Sequence, residues 1–236
     1  MDRVWVAGID GCRAGWIAVC MALPAPVEPQ ICLYRQFDDL LTACPPLAVL
    51  AIDIPIGLLD TPQPGGRLCD RLARRLLGRR ASSVFSPPTR SCLEATHYAQ
   101  VRTQGVSRQA FGILPKIREV DRFMTPELQA RVYEAHPELA FRTLTGAPIP
   151  DNKKTRTGHQ ARLHALERLQ EPPFGDLART FTQTCTTFKR TDVAPDDLLD
   201  AYVLAWTARR IATGQAERLP PSPPVDRRGL RMEIWY

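Results

Sequence analysis

The sequence predicts an α/β fold, and three observations lead there. Residues 3–22 read as two apolar strands paired about a tight turn. The run from Ala48 to Asp53 is a continuous apolar strand fed by a short helix. Residues 196–212 carry the 3.6-residue apolar spacing of a long helix. A chain of 236 residues, 44% of them hydrophobic, is long enough to bury a full core as one domain with an insertion.

The first strands, at 3–9 and 15–22, flank Gly8-Ile9-Asp10-Gly11-Cys12-Arg13-Ala14-Gly15-Trp16, in which a strand ends in an aspartate, glycines turn the chain and a second strand begins. Ile31-Cys32-Leu33-Tyr34 adds a third strand and completes a meander. Phe37 to Ala43 has the spacing of a short helix and leads through Pro45-Pro46 into the strand that ends at Asp53, before the break Ile54-Pro55-Ile56-Gly57. Such a strand belongs in the middle of a sheet.

From residue 60 to about 126 the chain reads as a helical insertion laid over the sheet. It holds helices from Leu68 to Leu77 and from Ser107 to Met124, separated by the polar segment from Ser82 to Arg90. The insertion reads either as a lid or as the interface of a homodimer. Residues 130–134 form a further candidate strand ending at Glu134, and a helix over 156–169 follows a lysine-bearing loop. Pro195 fits the first turn of the last helix, where a missing N–H is harmless and acidic side chains favour the dipole. That domain spans residues 1–219. Beyond it lie a stiff connector, Pro220 to Pro224, and a final edge strand from Leu230 to Ile234.

Composition narrows the function classes. Apolar runs fall far short of the roughly 18 residues of a membrane span, and the chain starts directly with a strand rather than a signal sequence, which places it in the cytoplasm with no membrane partner. Seven cysteines (Cys12, Cys20, Cys32, Cys44, Cys69, Cys92 and Cys185) never form Cys-x-x-Cys, so neither a disulfide framework nor a structural zinc site is favoured and all read as reduced core residues. The net charge of +6 is compatible with a polyanionic partner. Only four of the 31 basic residues are lysines (Lys116, Lys153, Lys154 and Lys189), and the arginine skew resembles a compositional bias, so charge alone argues only modestly for nucleic acid.

The chemistry rests on acidic residues at the ends of buried elements. Asp10 and Asp53 end strands, Glu134 ends another, and Asp197 and Asp200 lie three apart on one face of the last helix, whose Leu198, Leu199, Tyr202, Val203 and Trp206 hold it to the sheet. Alone, the helix pair is an acidic first turn that complements the dipole. Together the five point to one site, because neighbouring strands are about 5 Å apart. Two carboxylates at about 5 Å repel by roughly 3 kcal/mol at an effective dielectric of about 20, which protons or cations must relieve. Oxygen ligands without a His/Cys set suit Mg²⁺ or Mn²⁺ rather than zinc. Paired ions about 4 Å apart activate water on one side of a phosphodiester and stabilise the leaving oxygen on the other. For the substrate the candidates are Arg13, Arg80 with Ser83, Arg90, Lys116 and Lys153, with His136 placed to assist protonation or orient water.

Over most of residues 4–212 the chain resembles the domain-of-unknown-function family 429, often described as predicted RNase H-like nucleases. The resemblance is carried by the string from Gly8 to Trp16, Ile52-Asp53-Ile54-Pro55-Ile56-Gly57-Leu58, Cys69-Asp70 with Ala73-Arg74, Ser82-Ser83-Val84-Phe85, Lys116-Ile117 with Glu119-Val120-Asp121, Glu134-Ala135-His136-Pro137-Glu138 and Asp196-Asp197-Leu198-Leu199-Asp200-Ala201. It implies an RNase H-like mixed sheet, three antiparallel strands followed by parallel ones. Through its likeness to Holliday-junction resolvases it also implies two metal ions held by Asp10, Asp53, Asp197 and Asp200. Glu134 is an addition from the residues themselves. The leading expectation is therefore a metal-dependent nuclease acting on DNA or RNA. The same sheet serves actin-like or sugar-kinase-type ATP-binding phosphotransferases, with Asp10-Gly11-Cys12-Arg13 as the phosphate turn, but a late glycine-rich adenosine loop is lacking among only 14 glycines. A non-catalytic nucleic-acid-binding module is the third reading, and it predicts salt-sensitive binding that survives loss of Asp10.

Overall fold

The computed structural model describes residues 3–24, 28–43, 45–169 and 174–236, so Cys44 lies outside the described residues. The chain opens with strands β1 (Val4–Cys12), β2 (Gly15–Leu23) and β3 (Gln30–Tyr34), followed by helix α1 (Phe37–Leu41) and strand β4 (Leu47–Ile52). Helices α2 (Leu68–Leu77), α3 (Arg108–Gly112) and α4 (Leu114–Phe123) come next, then strand β5 (Val132–Glu134). Helices α5 (Pro137–Thr145), α6 (Arg156–Glu167), α7 (Leu177–Thr187) and α8 (Pro195–Ala212) lead to the short strands β6 (Arg218–Leu219) and β7 (Ile234–Trp235).

The main sheet has the order β3-β2-β1-β4-β5. Its first three strands are antiparallel, while β4 runs parallel to β1 and β5 parallel to β4. This is the mixed sheet flanked by helices that the resemblance implies.

Strand alternation divides the core. Val6, Ile17, Val19 and Ala51 face helix α8 and the helices packed on it, whereas Ala7, Ile9, Trp16 and Ile52 face α1 and α4. Helix α8 lies directly on β1, β2 and β4, with α5 and α6 against it and α7 against α6. The contact with β1 is backbone against backbone. A Cβ built on Gly8 would lie 1.9 Å from the Ala205 nitrogen and 2.2 Å from the Ala201 carbonyl oxygen, so only glycine admits the helix at this distance.

Three features differ from the sequence reading. The helix expected over Ser107–Met124 is two, α3 and α4, because Pro115 has no N–H to continue a ladder and instead sits in the first turn of α4. Helices α5 and α7 arise where no helix was read. Pro137 opens α5 directly after the strand-end motif, and the Thr-rich sequence of α7 has weak helix propensity. The final strand is β7, not Leu230–Ile234. Leu230, Met232 and Ile234 are buried, as is Glu233 between the last two, but the backbone N–H of Arg231 donates to Gln129 Oε1 and that of Met232 to the Pro224 carbonyl, so no ladder forms until β7 pairs with β6 and bridges Ala135 beside β5. Of the described cysteines, Cys12, Cys20, Cys69 and Cys92 are buried and Cys32 and Cys185 half-buried, all as free thiols. Among the described residues no helix is long and apolar enough to cross a membrane.

Gly8→Ala forces the helix off the sheet and costs at least about 3 kcal/mol in urea unfolding. A loss below about 1 kcal/mol would show that α8 has room to spare.

Candidate functional site

The parallel strands set the first two carboxylates side by side. Asp10 lies near the carboxyl end of β1. Asp53 follows β4 by one residue, and its N–H donates to the Ile9 carbonyl at 3.1 Å, which extends the pairing of the two strands to the aspartate itself. Helix α8 begins at the same end of the sheet. Asp197 Oδ2 accepts from the Ala194 N–H at 2.9 Å and closes the first turn, and Asp200, one turn on, is buried against the sheet with 1% of its surface exposed. Asp10, Asp53, Asp197 and Asp200 thereby line one cavity of about 550 Å³. A site outside the carboxyl ends of parallel strands is where open α/β sheets place their ligands.

The electrostatics follow from crowding like charges where water is scarce. Burial, and then the charges of Asp200 and Asp53, hold the Asp10 carboxyl well above the usual carboxylate range. Burial also raises Asp53, opposed by His136 and Lys153, and it pushes Asp200 up to about 6 against the attraction of Lys153. One cation reaches into this cluster. Lys153, from the loop between α5 and α6, donates from Nζ to Asp200 Oδ2 at 2.6 Å, and Asp200 above all raises its pKa. The other oxygen, Asp200 Oδ1, is buried without a hydrogen-bond partner.

The rest of the cavity is basic and polar. Lys116 comes over from α4 on the opposite face of the sheet. Its Nζ donates to the Gly15 carbonyl at 2.6 Å and sits 4.2 Å from the centre of the Trp16 ring, which fixes the ammonium near the floor. Arg80 and Ser83 line the wall, with the Ser83 hydroxyl donating to the Arg80 carbonyl and Arg80 Nη2 donating to Glu138 Oε1 at 2.9 Å. His136 Nε2 donates to the Ser83 carbonyl at 3.3 Å, leaving Nδ1 buried and unpartnered. Cys12, two residues after Asp10, is buried in the core, and burial pushes its thiol up.

Three expected residues lie elsewhere. Glu134 is in register with Ile52 rather than Asp53, so alternation turns its carboxylate away from the aspartates. It accepts from Arg67 Nη1 at 2.8 Å and Nη2 at 2.5 Å and from the Ile56 N–H at 2.6 Å, while Arg67 also pairs with Asp70 and donates to the carbonyls of Ile56 and Gly57. The group is a buried strut under the loop that follows Asp53. Arg90 bonds Asp121 and Asp226 and ties α4 to the C-terminal segment. Arg13 is exposed in the β1–β2 turn and does not line the cavity.

Residues not expected at the site complete it, among them Glu138, which ends the Glu134–Glu138 string that carries the resemblance. Glu138 lines the cavity and is held by Arg80 and by the fully buried Arg162, whose Nη2 donates at 2.6 Å. Gln109 and Asn152 add polar groups to the lining. Neither Arg67 nor Arg162 announces itself, since an arginine in an arginine-rich chain carries no mark of burial.

The donor set suits a hard divalent cation: carboxylate oxygens, one of them an orphaned buried acceptor. As the side chains stand, no three described His, Cys, Asp or Glu residues converge tightly enough to hold an ion. The positive charge at that point is the ammonium of Lys153.

Asp10 keeps its proton to higher pH in the folded chain than in the unfolded one, so its contribution to stability falls as pH rises from about 4. Asp10→Asn removes that loss and raises unfolding stability by about 1 kcal/mol at pH 8, with little change at pH 4, measured by thermal unfolding across pH. An equal effect at both pH values would mean that the carboxyl is not under this strain. Arg67→Met leaves Glu134 and Asp70 uncompensated and costs about 3–5 kcal/mol in urea unfolding.

A family model described as "Protein of unknown function (DUF429)" matches residues 8–225, from the first strand through the last helix, and so takes in all four cavity aspartates. No curated protein and no solved structure matches the chain. The chain belongs to the DUF429 family.

Proposed function

We propose that this protein hydrolyses phosphodiester bonds of nucleic acid with divalent metal ions at the Asp10–Asp53–Asp200 site. One observation carries the reading: carboxylates from two parallel strands and a docked helix share a cavity of about 550 Å³ whose walls also present Arg80, Lys116, Lys153 and Lys154. Acidic groups to hold cations beside basic groups to hold phosphate are the two halves that phosphoryl chemistry needs.

Asp10, Asp53 and Asp200 would hold the ions, with Asp197 at their edge. Bound there, Mg²⁺ or Mn²⁺ supplies an activated water and stabilises the leaving oxygen. The chain's own groups do the rest. Lys116 is a fixed positive charge, since its Nζ is anchored to the Gly15 carbonyl. Lys154 is exposed at the cavity and free to follow a phosphate backbone. The unpartnered Nδ1 of His136 can accept a hydrogen bond from a water held beside Asp53.

Incubation of the purified protein with Mn²⁺ and a panel of single-stranded, duplex and branched DNA and RNA yields cleavage of at least one substrate. Asp10→Asn lowers that rate by at least about 100-fold while the protein stays folded. No cleavage anywhere in the panel, or full activity in Asp10→Asn, overturns the reading.

A further inference from the structure

We propose that Lys153 is the resident counter-cation of the acidic cluster, and that a divalent metal ion enters only by displacing its ammonium from Asp200. This rests on the metal reading of the site given above.

Three observations lead to it. The Lys153 Nζ lies 2.6 Å from Asp200 Oδ2, and its other charged neighbours include Asp10, Asp53 and Asp197, the same carboxylates that a metal ion needs. The second oxygen of Asp200 is buried and takes no hydrogen bond, so the ammonium uses half of that carboxylate and leaves the rest for a ligand of higher valence. With the lysine in place the described acidic side chains do not close on a common point. An ammonium and a divalent ion therefore draw on one set of oxygens and cannot both be satisfied.

The fold also provides for the exchange. The loop that carries Lys153 is held at its backbone: the Thr155 N–H donates to the Asn152 carbonyl at 3.0 Å, and Arg162 Nη1 donates to the Asp151 carbonyl at 3.2 Å. Gly158 of α6 lets the Asn152 carbonyl approach so closely that a Cβ there would lie 1.9 Å from it. Movement is thus confined to the lysine side chain, one-third exposed on a flexible four-carbon stem. Once displaced, the ammonium remains in the same cavity, where a phosphate of the substrate gives it a new partner. Lys153 would then pass from carboxylate to phosphate as metal and nucleic acid assemble.

The test uses the metal alone, without nucleic acid. Lys153→Met, which keeps the stem and removes the charge, binds Mn²⁺ at least about tenfold more tightly than the unmutated protein in calorimetric titration. In the unmutated protein, with its four lysines reductively methylated with ¹³C, Mg²⁺ moves the Lys153 NMR signal toward that of a solvated lysine. Equal or weaker Mn²⁺ binding by Lys153→Met, or an unmoved Lys153 signal in protein that binds Mg²⁺, overturns the exchange while leaving the metal site intact. Failure of both proteins to bind Mn²⁺ overturns the metal reading itself.

Discussion

Helix α8 reaches the sheet because β1 has no side chain at residue 8, and this approach decides where the helix's acidic residues meet those of the strands. A Cβ at Gly8 would overlap the backbone of Ala201, Leu204 and Ala205, so the separation of helix and strand is set by two main chains in contact. At that separation Asp200, near the start of the helix, faces Asp10, near the end of the strand. The resident counter-charge hangs from the same helix. Helices α5 and α6 pack on α8, and the loop between them delivers Lys153 because Gly158 admits the Asn152 carbonyl. Two glycine contacts, one under the helix and one under the loop, hold an acid and its counter-charge together.

The molecule treats its buried carboxylates in two ways. Glu134 and Asp70 share Arg67 through bidentate contacts, with further hydrogen bonds to the Ile56 N–H and two carbonyls, in a group at most 6% exposed. Such a closed network is costly to break and offers nothing to a ligand. Asp10 and Asp200 instead hold their protons more tightly through burial and then the charge of neighbouring carboxylates, Lys153 hydrogen-bonds to Asp200, and the other oxygen of Asp200 is left unpartnered. Under-compensated charge in a cavity is the physical feature on which the proposed site rests. Glu138 stands between the two cases: two arginines hold one of its oxygens, and the other is buried without a partner at the cavity wall.

Much of the frame was legible in the chain because each signal was local. Apolar alternation and the glycine turn mark β1 and β2, the unbroken apolar run marks β4, and Pro195 with the following periodicity marks α8. Aspartates at the ends of such elements stand out because burial leaves them nowhere but the rim, and the structure does gather Asp10, Asp53, Asp197 and Asp200. Glu134 has the same local look and differs only in register: pairing with Ile52 instead of Asp53 turns it by one residue, and a partner 67 positions away takes it. Arg90 was drawn into the expected site by its charge and is claimed instead by Asp121 and Asp226, of which the latter lies 136 positions along the chain.

By itself, then, the sequence determined the strand ends, the docked helix and the acidic character of the place where they meet, since all three follow from hydrophobic pattern and backbone chemistry within a few residues. Only the tertiary structure decided which charge answers which. Lys153 and Lys154 are indistinguishable neighbours in the chain, yet one lies on Asp200 and the other is exposed at the cavity. Coulomb attraction and desolvation depend on distance and burial in the folded molecule, and neither quantity is written in the order of residues.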